Sequence, residues 1–341
     1  IPTRSKVDRI DYSNDTATAS PKGPLSLARG RLAGTGNQSF GYFGGGWPGP
    51  LSTVDRIDYA NDTATASPKG PLSLGRYFLG ATGNSSFGYF GGGSNGPDTS
   101  TVDRVDYSSD TGTAPSKGPL SSAKMRMGTT GNSSFGYFAG GAPGPISTVD
   151  RVDYSNDTGT APSKGPLSAA RGYGAATSSR ANANPTEISN ITHYAAGTPA
   201  TSHFGYFGGG YYPSQVSVVD RIDYSNDTAA AATKGPLSLA RDRSGATSSG
   251  THGYFAAGQT ITPSPSSTIV DRVDYLNDTA TAVVKGPLSL SRSAIASVGN
   301  ASFGYFIGGG SVNSPYIFSS MERIDYSNDT ATASIKGQMT G

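Results

Sequence analysis

The chain has 341 residues, a net charge of +2, a hydrophobic fraction of 34%, 48 glycines, 22 prolines and no cysteine. The missing thiols exclude disulfides, thiolate metal sites and a cysteine nucleophile, and the near-neutral charge supplies no long-range field for nucleic acid or an anionic membrane. No apolar run approaches the roughly 18 residues a spanning helix needs, so no membrane insertion is expected.

One phrase, D-R-[I/V]-D-Y, recurs along the chain. It stands at Asp8–Tyr12, Asp55–Tyr59, Asp103–Tyr107, Asp150–Tyr154, Asp220–Tyr224 and Asp271–Tyr275, and at Glu322–Tyr326 with Glu in first place. Its closing tyrosines are 47, 48, 47, 70, 51 and 51 residues apart. A period near 50 marks an array of one supersecondary unit. The glycine and proline content alone would suggest disorder, but disordered tracts do not hold alternating Val, Ile, Tyr and Phe in fixed register. Of the 24 acids, 21 fall at the positions typified by Asp8, Asp11 and Asp15, and of the 26 bases, 20 fall at those typified by Arg9, Lys22 and Arg29. Charges that recur once per unit read as architecture rather than catalysis. The chain opens at Ile1 with no signal-like stretch, which reads as a processed or partial chain.

Within one unit the elements follow in order. Gly30–Gly36 is a short first strand and Gly36-Asn37 a turn. Ser39–Gly44 is a second strand whose Phe40, Tyr42 and Phe43 put bulk on both faces, as in a sheet covered on both sides. Gly41 and Gly44 are expected to leave room for crowding backbones. Trp47–Pro50 is a loop, and Ser52–Tyr59 a third strand with Val54, Arg56 and Asp58 on one face and Asp55, Ile57 and Tyr59 on the other. Asn61-Asp62-Thr63 is a turn, since Asn and Asp bond their own backbone there. Thr63–Ser67 is a weak fourth strand, ended by Lys69-Gly70-Pro71, and the proline and lysine place it at a sheet edge. Four short antiparallel strands per unit, repeated six or seven times without helical periodicity, predict an all-β fold, a β-propeller over residues 1–341 with an insert at about 180–203. Seven third–fourth strand pairs but six first–second pairs imply six complete blades and a partial seventh. A solenoid or a row of hairpins fits less well, because solenoid repeats are usually shorter or helical and isolated hairpins are marginal in water.

The unit resembles the kelch repeat. The matching residues are the apolar run into a glycine doublet at Gly41–Gly46, Gly88–Gly93, Gly136–Gly141, Gly205–Gly210 and Gly304–Gly310, the third-strand Tyr, and P-L-S-x-[A/G/S]-[R/K] as at Pro24–Arg29. The doublet is degraded at Gly253–Gly258, and the Trp of kelch units near the fourth strand is replaced by Ala or Thr, as at Ala19 and Ala66. The wording of Val7–Ala19, Lys22–Arg29 and Ser39–Gly46 is also similar to repeats of virion structural proteins of marine tailed phages, notably cyanophages.

Candidate sites divide into repeated and irregular positions. Arg and the second Asp of each phrase share a strand face, which predicts structural ion pairs within or between blades from Arg9, Asp11, Arg56, Asp58, Arg104, Asp106, Arg151, Asp153, Arg221, Asp223, Arg272, Asp274, Arg323 and Asp325. The alternative is a ring of seven arginines around an anion. N-D-T, as at Asn14-Asp15-Thr16, reads as turn chemistry rather than a glycosylation acceptor or a calcium loop, whose spacing is absent. Gly34–Ser39 lacks the lysine and helix of a phosphate cradle. His193, His203 and His252 read as loop histidines, so no metal and no cofactor is expected. Galactose-oxidase-like chemistry needs a cysteine-modified tyrosine and is excluded.

The loops between second and third strands differ in every copy and should share one face. They hold Trp47, Tyr211, Tyr212 and Tyr316, which suit sugar stacking or a protein interface as well as packing on their own blades. The insert near Arg180–His203 is expected on the opposite face. The phage resemblance implies a non-enzymatic structural or adhesion module of a virion, in the tail or a fibre, active in host adsorption. Its partners would be other virion proteins, a host-surface glycan or further copies of itself. A bacterial carbohydrate-binding propeller, cell-surface or secreted, is the alternative, and a propeller-scaffold polysaccharide enzyme a third.

Overall fold

The structure is a computed structural model that describes residues 3–14, 16–144, 146–178, 204–211, 213–261, 266–311 and 317–339. The repeated phrase forms the third strand of each of six blades, for example Val54–Asp58 in the first. It pairs antiparallel with Phe40–Gly44 on one side and Ser67–Lys69 on the other, and Ala33–Gly36 lies innermost. Later blades repeat this order, with inner strands Gly80–Gly83, Gly128–Gly131, Ala175–Ser178, Gly245–Ser248 and Ala296–Gly299. In the second blade the outer strand shrinks to one bridge, Asp103 to Ser116. The array is an all-β propeller of six blades. An additional two-stranded hairpin, Val7–Arg9 with Ser20–Lys22, carries only the outer half of the unit.

Local chemistry trims the expected strands. The first starts at Ala33 because Arg31 takes a left-handed φ of 58° and breaks the extended run. The outer strand is Ser67–Lys69 rather than Thr63–Ser67. The Asp58 carboxylate accepts the Ala60 N–H, the chain turns through Tyr59–Asn61, and pairing resumes only later. Pro68 then sits on the edge, where no ladder donor is needed.

The core lies between blades. Tyr42 stacks on Tyr107 of the next blade with ring centroids 4.6 Å apart, and the same pair recurs as Tyr89–Tyr154, Tyr137–Tyr224, Tyr206–Tyr275 and Tyr254–Tyr326. Gly41 and Gly44 admit rings rather than backbone: a Cβ at Gly41 would lie 2.8 Å from the Tyr59 hydroxyl, and one at Gly44 2.7 Å from the Phe90 ring. Ala114 N–H donates to Pro71 O across one interface, as do its counterparts from Ala66 to Pro24 and from Ala333 to Pro287. The hairpin closes the ring in the same way. Ala19 N–H donates to Gln338 O of the sixth blade, Tyr12 stacks on Tyr305, and Gly23 N–H donates to Asp62 O of the first blade.

Candidate functional site

The recurring charges hold blade to blade. Arg56 pairs with Asp110, the N-D-T aspartate position of the following blade, at 2.7 Å. Asp110 also accepts the Tyr42 hydroxyl at 2.8 Å and lies 3.5 Å from Lys69 Nζ. The same node joins Arg104 to Asp157, Arg151 to Asp227, Arg221 to Asp278, Arg272 to Asp329 and, from the hairpin, Arg9 to Asp62. Arg323 stacks over Phe303, 4.2 Å from its ring centroid. The second Asp of each phrase has a different partner from the one expected. Asp11, Asp106, Asp153, Asp223 and Asp325 accept the N–H and hydroxyl of the serine two residues on, while Asp58 and Asp274 accept the Ala60 and Leu276 N–H. At a strand end the next turn's amides lie closer than the neighbouring guanidinium.

A second layer is fully buried. Arg29 pairs with Asp55, Arg76 with Asp103, Lys124 with Asp150, Arg171 with Asp220, Arg241 with Asp271 and Arg292 with Glu322. Each of these bases also donates to a backbone carbonyl, as Arg76 does to Phe90 O at 2.8 Å. These groups hold the frame, and the irregular positions lie elsewhere.

Those positions converge at one end of the ring. The variable loops bridge to the junctions between units: Trp47 to Gly30, Ser94 to Tyr77, Ala142 to Met125, Tyr211 to Gly172, Gln259 to Asp242 and Gly310 to Ser293. One residue beyond each junction partner, six side chains ring the axis: Arg31, Phe78, Arg126, Tyr173, Arg243 and Ala294. All six have a left-handed backbone, with φ between 54° and 59°. Bulky residues pay about 1–2 kcal/mol each for that conformation. They are held there by a circumferential ladder: Phe78 N–H donates to Arg31 O, Arg126 to Phe78, Tyr173 to Arg126, Arg243 to Tyr173 and Ala294 to Arg243, at 2.9 to 3.2 Å.

Cations and aromatic rings alternate around this crown. Arg31 lies 4.7 Å from the Phe78 ring centroid, Arg126 4.4 Å from Phe78 and 4.9 Å from Tyr173, and Arg243 5.2 Å from Tyr173. Trp47 joins the first of these contacts, 5.5 Å from Arg31 and edge-on to Tyr77. Arg31 and Arg126 make no ion pair among the described residues, and Arg126 Nε is buried without a hydrogen-bond partner there. Arg243 donates to Gln259 Oε1 and lies 3.5 Å from Asp242. Burial pushes the Asp98 and Asp242 carboxyls up from their ordinary range, against the pull of Ser94 and Arg126 on the first and of Arg243 and Gln215 on the second.

Of the loop aromatics expected to bind, Trp47 and Tyr211 stand on this face at 38% and 43% exposure, while Tyr212 and Tyr316 lie outside the described residues. So do His193, His203 and the insert. His252 starts the second strand of the fifth blade, where the other five blades have Phe. The crown itself escaped the sequence reading, which sought variation only in the loops. Its signal is present all the same: the second residue after each buried base reads Arg31, Phe78, Arg126, Tyr173, Arg243 and Ala294 while its surroundings repeat.

No family model and no curated protein matches the chain. Among solved structures it is similar to one titled "Structure of YjhT", with a TM-score of 0.62 and 12% identity over 93% of this chain and 99% of the other. At that identity the likeness establishes the propeller fold alone.

Proposed function

We propose that the protein is a non-enzymatic structural and adhesion module of a phage virion, in the tail or a fibre, whose loop face binds acidic glycan on a host surface. One observation carries the glycan reading: three arginines interleaved with aromatic rings, all on strained left-handed backbone, gathered at the mouth of a rigid ring. Left-handed non-glycine backbone clusters at ligand clamps, and six of the seven such residues among those described lie on this ring. Guanidinium forks pair with carboxylate or sulfate, and ring faces stack on the apolar faces of sugars. The virion setting is supported by the wording of the repeats, which near-identical duplication suits.

The test is binding of the purified protein to carboxylated, sulfated and neutral glycans at low and high salt. Binding confined to the acidic ones, weakened by salt and reduced at least tenfold in an Arg31→Ala/Arg243→Ala variant, supports the reading. Equal binding of neutral glycans, or no effect of the double substitution, rejects it. Mass spectrometry of purified phage particles tests the setting: a fixed copy number per particle is expected, and absence from particles rejects it.

A further inference from the structure

The crown carries its cations at intervals. Arg31, Arg126 and Arg243 precede the inner strands of the first, third and fifth blades, Phe78 and Tyr173 those of the second and fourth, and Ala294 leaves the sixth position without a large side chain. From Phe78 to Ala294 each donates its N–H to the carbonyl of the residue before it in the ring, so main chain sets the order.

Each ring between two cations is a spacer, approached from the blade before and the blade after. Arg31 and Arg126 lie 4.7 and 4.4 Å from the Phe78 ring centroid, so their guanidinium carbons are at most about 9 Å apart. Arg126 and Arg243 lie 4.9 and 5.2 Å from the Tyr173 centroid, which places them at most about 10 Å apart. Trp47 and Tyr77 box Arg31 further, at 5.5 and 5.9 Å. Stacking against rings restricts a guanidinium without consuming its five N–H donors. Those donors are largely unclaimed among the described residues. The Arg31 side chain makes no hydrogen bond there, and Arg126 Nε has no partner. Arg243 spends one donor on Gln259 Oε1 and lies 3.5 Å from Asp242. Asp98 is a second acid at this arc, and the Arg126 charge pulls on its carboxyl.

We propose, resting on the acidic-glycan reading of this face, that the crown selects acidic polysaccharide whose carboxylates recur on every second sugar, and that Arg126 is the residue that reads the interval. Two linked pyranose units of an extended chain cover roughly the distance between neighbouring guanidinium groups here. Consecutive sugars then lie one to a position along the arc from Arg31 to Arg243, with the first, third and fifth bearing the charge. Each carboxylate meets a guanidinium fork. The uncharged sugars pass Phe78 and Tyr173. A carboxylate held at the Phe78 position would shed water without gaining a donor, so a chain charged at every sugar is penalised. Arg126 alone has a cation on either side of it, and any pair of carboxylates two sugars apart must use it.

The experiment measures, by calorimetry of the intact protein at low salt, the binding of hyaluronan tetrasaccharide and hexasaccharide, which carry two and three carboxylates on alternate sugars, and of trigalacturonate, which carries three on adjacent sugars. The hexasaccharide should bind about tenfold or more tightly than trigalacturonate at equal charge, because the closer spacing forfeits a charge-assisted hydrogen-bonded pair. For the tetrasaccharide, Arg31→Ala or Arg243→Ala leaves one of two registers and should cost about twofold. Arg126→Ala leaves cations too far apart for it to bridge and should cost about tenfold or more. Arg126→Met, which keeps a stem between the two rings, should give the same loss in protein whose fold is checked by circular dichroism. Trigalacturonate binding as tight as that of the hexasaccharide, or equal losses of tetrasaccharide binding from all three alanine substitutions, would overturn the proposal while leaving acidic-glycan binding at this face intact. Failure of all three oligosaccharides to bind would overturn both.

Discussion

Tyr42 donates its hydroxyl to Asp110, 68 residues further along the chain and in the next blade, at 2.8 Å. The same carboxylate oxygen takes Arg56. Burial and the adjoining Asp110 carboxylate push the Tyr42 phenol well above its ordinary range, which favours the protonated donor form this bond needs. One acid thus gathers a tyrosine, an arginine and a lysine from the preceding blade. Replacing Asp110 with Ala strands the partly buried guanidinium and is expected to cost about 3 kcal/mol. Denaturant unfolding measures this, and a cycle with Tyr42→Phe should show coupling rather than additivity.

Two glycines predict opposite outcomes. A Cβ at Gly118 would lie 1.5 Å from Gly159 O of the next blade, so Gly118→Ala must push two blades apart. It is expected to give little folded protein, as judged by near-ultraviolet circular dichroism. Gly159 has open space around its Cβ direction and no left-handed φ. Gly159→Ala should raise stability by about 0.5 kcal/mol, since it narrows the unfolded ensemble without strain. The first and sixth blades already carry Ala at this place, as Ala64 and Ala331.

Lys124 is the one lysine in the buried ring of bases. It reaches Asp150 at 3.0 Å and Phe138 O at 3.0 Å; Asp150 Oδ1 has no hydrogen-bond partner among the described residues, and neither has Asp271 Oδ1 opposite Arg241. Lys124→Arg should be tolerated or mildly stabilising. Lys124→Met leaves a buried carboxylate uncompensated and should cost about 3–5 kcal/mol. Thermal melts of the two variants side by side check this, and equal melting temperatures would contradict it.

Acid should act in two windows. Burial and the Arg272 charge hold His252 below its ordinary value, against the opposing pull of Asp274 and Asp329, with Lys285 reinforcing the depression. The unfolded chain therefore takes up this proton first. The stability contribution is complete above the ordinary value of 6.5 and is lost as pH falls from there toward the depressed folded value. The Asp329 carboxyl is also held below its ordinary value. Burial would raise it, but the bonds from Lys285 and Tyr254 and the Arg272 charge hold it below 3.8. Its contribution persists above 3.8 and disappears as pH drops through its lower folded value. His252→Phe, which restores the residue of the other blades, should abolish the upper window and leave the lower one, as read by melting temperature against pH.

The period of D-R-[I/V]-D-Y, its alternation, and the Pro and Lys at the outer edge made the four-stranded blade and the count of six complete units and one half unit legible in the linear chain. Outside the fourth blade, where Ala175 pairs with Gly208 across the insert, strand pairing within a unit depends on residues close together along the chain, and a period-two pattern records it directly. The partner of Arg56 was not legible. Asp58 shares its strand face, yet Asp110 receives it, because only the stacking of whole blades brings a residue 54 positions away within 2.7 Å. The same holds for Gly44, whose missing side chain makes room for Phe90. The crown of Arg31, Phe78, Arg126, Tyr173, Arg243 and Ala294 is likewise a product of closure. Each is an ordinary surface residue in its own repeat, and only curvature around a common axis turns six separate junctions into one strained, hydrogen-bonded ring. Repetition therefore determined the unit, which is local. The tertiary structure decided every contact between units, because those depend on the angle at which identical sheets meet.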